Sequence, residues 1–243
     1  MPERSRPSPQ NLHLVLMLAL TFSTGIVDAV GYLGLDKVFA GNMTGNVVIL
    51  GMALAGADDL PWVGPLLALV AFLAGAAIGG RVLRPVAAGW SSRTTVLIAV
   101  VGALLGIAGI GLFIADGTPP PPWELGATLL LATSMGVQAA AARHLAVKDV
   151  TTVVVTSTIT GLAADSWLAG GSGQPWRRRA AAVVLIALGA LVGAVLLRFH
   201  IAVPLGLAAL ISGGAAVLGH VAAHEARGSA RVSETPRTAR PRA

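Results

Sequence analysis

The chain has 243 residues, of which 55% are hydrophobic and only 12% charged, with a net charge of +6 and no cysteine. Soluble domains carry about 25% charged residues, so this balance, with a mean hydropathy of +0.77, points to a membrane protein. Lack of cysteine excludes disulfides, thiolate metal sites and thiol catalysis. The basic excess lies in tails and loops, where it reads as membrane topology and headgroup affinity rather than nucleic-acid binding.

Residues 1–11 form a short tail with Arg4 and Arg6, ahead of an apolar run from Leu12 to about Leu33. That run is too long for a signal-peptide core and is read as an uncleaved first span. Eight apolar segments can be drawn in all, at roughly 12–34, 39–56, 62–83, 94–115, 125–143, 150–169, 180–199 and 201–222. A helix needs about 20 residues to cross the hydrocarbon core.

Segments two and six are unlike the rest. Segment two opens Ala40-Gly41-Asn42-Met43-Thr44-Gly45-Asn46. Segment six follows Asp149 and carries Thr156, Ser157, Thr158, Thr160 and Asp165. Irregular, polar backbone is tolerated at membrane depth only where protein or a water-filled cavity covers it. If both segments re-enter on the side they left, then all 17 Lys and Arg except Lys37 and Arg198 fall on one side of the membrane. The positive-inside rule then makes that side, and both termini, cytoplasmic.

The chain also reads its plan twice. Pro61-Trp62, Gly75, Gly79 and Arg84 recur at one constant offset as Pro175-Trp176, Gly189, Gly193 and Arg198. Gly25-Ile26-Val27-Asp28 before Thr44-Gly45-Asn46 is matched by Gly136-Val137-Gln138-Ala139 before Thr156-Ser157-Thr158. Three spans per copy is an odd number, so the copies are expected to be inverted relative to each other. The expected organisation is a tail at 1–11, membrane repeats at 12–116 and 125–222, a stiff Pro-rich linker at 117–124, and a disordered basic tail at 223–243. Gly75, Gly79, Gly189 and Gly193 form small-residue pairs four apart. They are expected to bring helices into close contact, between the halves or between copies in a homo-oligomer.

Asp28 is the sharpest chemical signal, an ionisable group inside the first apolar run. Such a group costs about 2.5–3.5 kcal/mol at a span centre unless it faces an interior. It is read either as a proton, cation or polar-substrate site, or as an anchor that holds a neighbouring broken segment. Asn42, Thr44 and Asn46 supply amides and a hydroxyl at the first break, and Gln138, Thr156 and Thr158 are their second-half counterparts. These seven are the candidate ligand-binding residues, and capping of freed backbone is their simpler role. Asp165 is placed near an interface, and the scattered histidines are read as interfacial rather than metal ligands. No catalytic motif, phosphate-binding loop, metal or cofactor signature appears, so the chain is not read as an enzyme.

Gly25-x-x-Asp28-Ala29-x-Gly31-Tyr32, followed by Phe39-x-x-Asn42-Met43-Thr44-Gly45-Asn46, resembles the signature of the YoaK-type family of bacterial integral membrane proteins. Met135-Gly136-x-Gln138 and Thr151-Thr152…Thr156-x-Thr158 are similar to that family's second motif, with Ser157 where its pattern has glycine. The resemblance covers roughly 12–222. It implies a polytopic inner-membrane protein and no particular substrate.

The fold expected is therefore all-α and polytopic, with six transmembrane helices, two short broken or re-entrant segments and two inverted repeats. The function expected is a secondary transporter or facilitator of a small molecule or ion, proton-coupled through Asp28. The alternative is a non-transporting membrane scaffold or assembly factor. The expected partners are the lipid bilayer and a small molecule or ion.

Overall fold

The computed structural model describes residues 9–57, 59–115, 121–145, 155–171 and 176–233. The elements are all helical: α1 (Pro9–Gly34), α2 (Met43–Leu54), α3 (Val63–Leu83), α4 (Ser92–Ile114), α5 (Pro121–Leu145), α6 (Val155–Ala164), α7 (Trp176–Leu196) and α8 (Ala202–Ser233), with a 3-10 turn at Trp167–Ala169. Six helices are long and apolar enough to cross a bilayer, and α2 and α6 are not. At 12 residues, α2 is about 18 Å long, short of a hydrocarbon core of about 30 Å.

Close glycine contacts fix which spans pair and in which direction they run. A Cβ on Gly75 of α3 would strike the carbonyl of Thr133 on α5, and one on Gly79 would crowd Val137 and Ala140. A Cβ on Gly189 of α7 would strike the carbonyl of Phe22 on α1, and one on Gly193 would crowd Ile26 and Ala29. In both pairs the numbers rise together, so α3 runs parallel to α5 and α7 parallel to α1. Each Gly-x-x-x-Gly helix thus packs on the first helix of the other half. By contrast α4 and α8 run antiparallel, with Gly102 beside Ala209 and Ser212, and Gly109 beside Leu205 and Ala202.

α1 is the central helix, packed by α7, α8 and α5. Its most apolar stretch is 67% buried, against 17% for α7. Most of α7 is left to face lipid, and its exposed Val184, Leu188, Leu191 and Val195 suit that position. The core gathers Met17, Leu20 and Ile26 of α1 with Ile98 and Leu105 of α4, Leu131 of α5 and Leu205 of α8.

α2 belongs to a segment that turns back on itself. The chain leaves the top of α1 and descends along it, with Val38 N–H donating to the Gly31 carbonyl at 3.2 Å. Lower still, Gly41 N–H donates to Asp28 Oδ1 at 2.7 Å. α2 then climbs, and Lys37 Nζ donates to the Asp59 carbonyl at 2.8 Å, joining the loops on either side of the excursion. α6 runs toward the opposite end of the bundle. It ends beside the start of α7, where Arg179 Nη1 donates to the Gly161 carbonyl at 2.8 Å and to Asp165 Oδ2 at 2.5 Å.

The ends of the bundle differ in charge. One gathers Arg81, Arg84, Arg93, Arg143 and Arg177 to Arg179. The other holds Lys37 and Arg198 with Asp36, Asp59 and Glu124. The basic end is tied together by Arg93 Nη1 donating to the Val82 carbonyl at 2.8 Å and by the His144 Nε2 contact with the Ala87 carbonyl at 3.1 Å. Capping explains where two helices begin. Asn42 caps α2 by accepting from Gly45 N–H, and Ser91 and Thr94 form a reciprocal capping box on α4.

Two boundaries differ from the sequence reading. α5 starts at Pro121, so 121–124 of the expected linker is helical. Proline suits a first helical turn, where its missing N–H has no intrahelical role. The expected disordered tail is helical as far as Ser233. Residues 223–233 include three Ala, two Arg and one Glu, which are strong helix formers, and the next proline is Pro236. Residues 117–120 of the linker, 150–154 of segment six and 234–243 of the tail lie outside the described residues.

Candidate functional site

The two excursions meet at one cavity of about 830 Å³. Its wall is built from one face of α1, the broken segment and first turns of α2, the first turn of α6, and Ile186 of α7. Four of the sequence-derived residues line it: Asp28, Asn42, Thr44 and Thr156. They come from three helices, and only the two turn-backs bring them together.

Asp28 holds the first break in shape. Its carboxylate accepts from Gly41 N–H, and the N–H groups of Asn42 and Ala40 also bear on it. These are backbone donors that a broken helix leaves without carbonyl partners. A glycine at 41 matters here, because its hydrogen lies against Thr24 and the Asp28 oxygens where a Cβ would lie 3.0 Å from Thr24 Cγ2.

Asn46 has a different job from the one its sequence position suggested. It is 1% exposed and does not line the cavity. Its Oδ1 accepts from Phe39 N–H at 2.9 Å. Its Nδ2 donates to the Phe39 carbonyl at 2.6 Å. One side-chain amide therefore satisfies both backbone groups of a residue in the descending segment, as a neighbouring strand would. It leaves the ring of Phe39 stacked on Tyr32, with centroids 4.9 Å apart and planes at 25°.

Gln138 is likewise buried and stands outside the cavity lining. Its Nε2 donates to Thr24 Oγ1 at 2.8 Å and, more weakly, to the Leu20 carbonyl at 3.4 Å. It thus links α5 to α1 directly behind the cavity wall. Its Oε1 is buried without a hydrogen-bond partner among the described residues. Thr158 is buried on α6 and is not among the lining residues. Asp165 sits at the basic end, engaged by Arg179.

Thr24, Tyr32, Phe39 and Ile186 line the cavity and were not among the candidate ligand-binding residues, although Tyr32 and Phe39 stand in the first motif. For the first two a signal existed. Thr24, Asp28 and Tyr32 are spaced by four, so one helix face carries all three. Nothing in the sequence pattern placed Phe39 or Ile186 there. Among the described residues no group of three or more His, Cys, Asp or Glu could hold a metal ion.

Comparison with known proteins agrees with this picture of a multi-pass membrane protein. Residues 16–218 match the model of a family described as a protein of unknown function, DUF1275. Over 154 residues, or 62% of this chain, the sequence is 31% identical to the UPF0700 transmembrane protein YoaK of Bacillus subtilis (strain 168). The match spans 65% of that relative's length, slightly under two thirds. No solved structure matches.

Proposed function

The chain belongs to the DUF1275 family, and from that footing we propose that it is a secondary transporter or facilitator of a small polar solute or ion, proton-coupled through Asp28. The observation that carries the reading is the cavity where Asp28, Asn42, Thr44 and Thr156 converge. Polar side chains gathered at membrane depth, around the starts of two helices too short to cross, are the usual furniture of a solute site in transporters.

The arrangement of the spans supports the same reading. We read the fold as two inverted repeats. The pairs α1 and α5, α3 and α7, and α4 and α8 point in opposite directions, and the crossed glycine contacts recur between them. Such pseudo-symmetry lets one half rock against the other around a fixed site. The basic end is read as cytoplasmic by the positive-inside rule, in a bacterial inner membrane, with both termini inside. The chain is not read as an enzyme, and no cofactor enters the proposal.

The test is flux. Purified protein reconstituted in proteoliposomes is expected to accelerate equilibration of at least one small polar solute or ion over empty vesicles. Asp28→Asn is expected to abolish any dependence of that flux on a proton gradient. A chain that moves nothing across a broad panel of neutral, cationic and anionic solutes would be a scaffold instead.

A further inference from the structure

We infer that the cavity takes a small organic ammonium ion, with Asp28 as its counter-charge and the Tyr32–Phe39 pair as its aromatic wall. The inference rests on the transport reading for what the cavity is for, and adds the charge and chemical class of the solute.

Three observations meet in it. Among the described residues Asp28 is the only charged one lining the cavity, and the polar remainder (Thr24, Asn42, Thr44, Thr156) is neutral. Among the described residues the basic side chains stand at the ends of the bundle, and none pairs with Asp28. The backbone N–H groups near Gly41 solvate the carboxylate but bring no full charge. A carboxylate in an apolar interior gains most from a cation that desolvates beside it.

The aromatic wall points the same way. Tyr32 lies one helical turn above Asp28 on the same face, stacked on Phe39, and both rings line the cavity. Aromatic rings beside a carboxylate favour an ammonium, because the ring faces attract positive charge and the alkyl part of the ion gains apolar contact. They offer an anion no such attraction.

Size and ligand count select an organic ion over a hard divalent metal ion. A volume of about 830 Å³ falls in the range of small-molecule sites. One carboxylate supplies far fewer ligands than a hard divalent cation takes. The starts of α2 and α6 are the competing influence, since each brings about half a positive unit. That of α2 is already engaged by Asp28 through Gly41 and by the Asn42 cap.

The experiment follows thermal unfolding of the purified full chain in detergent against methylammonium, choline, acetate, and 3,3-dimethylbutan-1-ol. The last has the shape of choline with carbon in place of the charged nitrogen. Methylammonium or choline is expected to raise the unfolding midpoint at concentrations where the neutral alcohol and acetate do not. Asp28→Asn is expected to weaken the ammonium response by about thirtyfold or more, as for removal of one partner of a buried charge pair. Tyr32→Leu loses the stacking on Phe39 but keeps the hydrogen bonds from Gly41 to Asp28 and from Asn46 to Phe39 that hold the broken segment. It is expected to weaken the response by about tenfold, so the wall remains testable even if Asp28→Asn unfolds.

An equal response to choline and to its neutral analogue would overturn the inference. So would acetate binding that survives or strengthens in Asp28→Asn, because the helix starts would then set the sign. Flux of a neutral or anionic solute without any ammonium response would sink the charge assignment and leave the transport reading standing. No binding by any probe together with no flux in proteoliposomes would remove both.

Discussion

Gly25 and Gly136 stand in the same relation to the helix each one meets. A Cβ on Gly25 would strike the carbonyl of Ile186 and crowd the N–H of Ala190. A Cβ on Gly136 would strike the carbonyl of Phe72 and crowd the N–H of Ala76. The atoms, the order and the closeness agree, although one contact joins α1 to α7 and the other α5 to α3. Backbone meets backbone in both, so no rotamer change can make room for a side chain.

Gly136→Leu, Gly75→Leu, Gly25→Leu and Gly189→Leu are each expected to lower stability by at least about 2–3 kcal/mol, because overpacking here must move a helix. Gly80 is the internal control. It neighbours Gly79 on α3, yet a Cβ there meets nothing within 4 Å. Gly80→Ala is expected to leave stability unchanged or raise it by up to about 1 kcal/mol, the helix-propensity gain over glycine. Thermal unfolding in detergent, read alongside size-exclusion profiles, checks both groups. Equal behaviour of Gly75→Leu and Gly80→Ala would contradict the crossed packing.

Asn46→Leu is expected to cost about 2–4 kcal/mol, since it leaves the N–H and carbonyl of Phe39 without partners in a buried setting. The isosteric Asn46→Asp removes only the donor to the carbonyl and is expected to be as damaging, because it also adds a buried charge. Unfolding midpoints of the purified variants provide the comparison. A fully stable Asn46→Leu would mean that the broken segment is held by other contacts.

The two turn-backs place the loops around Lys37 and Asp59 at one end and the loop at 85–91 at the other. No native cysteine interferes with single-cysteine labelling. In intact cells a membrane-impermeant thiol reagent is expected to modify cysteine at Asp59 and to leave cysteine at Ala88 unmodified. The reverse pattern would invert the orientation, and modification at both positions would break the six-span topology.

Proton coupling makes a separate demand on Asp28. Asn at this position retains an oxygen to accept from Gly41 N–H, but it cannot ionise. Asp28→Asn protein is therefore expected to fold, and its solute flux or ligand-induced stabilisation is expected to become flat with pH where the wild type varies. Parallel profiles for the two proteins would reduce Asp28 to an anchor for the break.

Much of this was legible in the sequence because bilayer physics is severe. Apolar length separates the six spans from α2 and α6, and the distribution of arginine favours the turn-backs. Asp28, Asn42, Thr44 and Thr156 stood out as polar residues in apolar runs, and they share a cavity. Asn46 and Gln138 stood out for the same reason but serve the backbone of Phe39 and the hydroxyl of Thr24. Composition tells that a buried amide needs a partner, not whether that partner is a ligand or the protein itself. Ile186 looks like an ordinary apolar residue and Phe39 entered only as a motif position, so the path of the chain is what places both at the cavity. The helical stretch 223–233 was obscured by its charge, which weighs toward disorder in composition but not in helix propensity.

The crossed pairing of helices bears on how the protein is made. α1 leaves the ribosome well before α7, the helix that covers its glycine face. The first half of the chain must therefore wait in the membrane with a bare stripe at Gly25, while α3 finds its mate in α5 one span earlier. A nascent chain stopped after Leu145 would have closed only one of its two tight seams. Synthesis and assembly are out of step in this molecule, and the second seam closes only after α7 has been made.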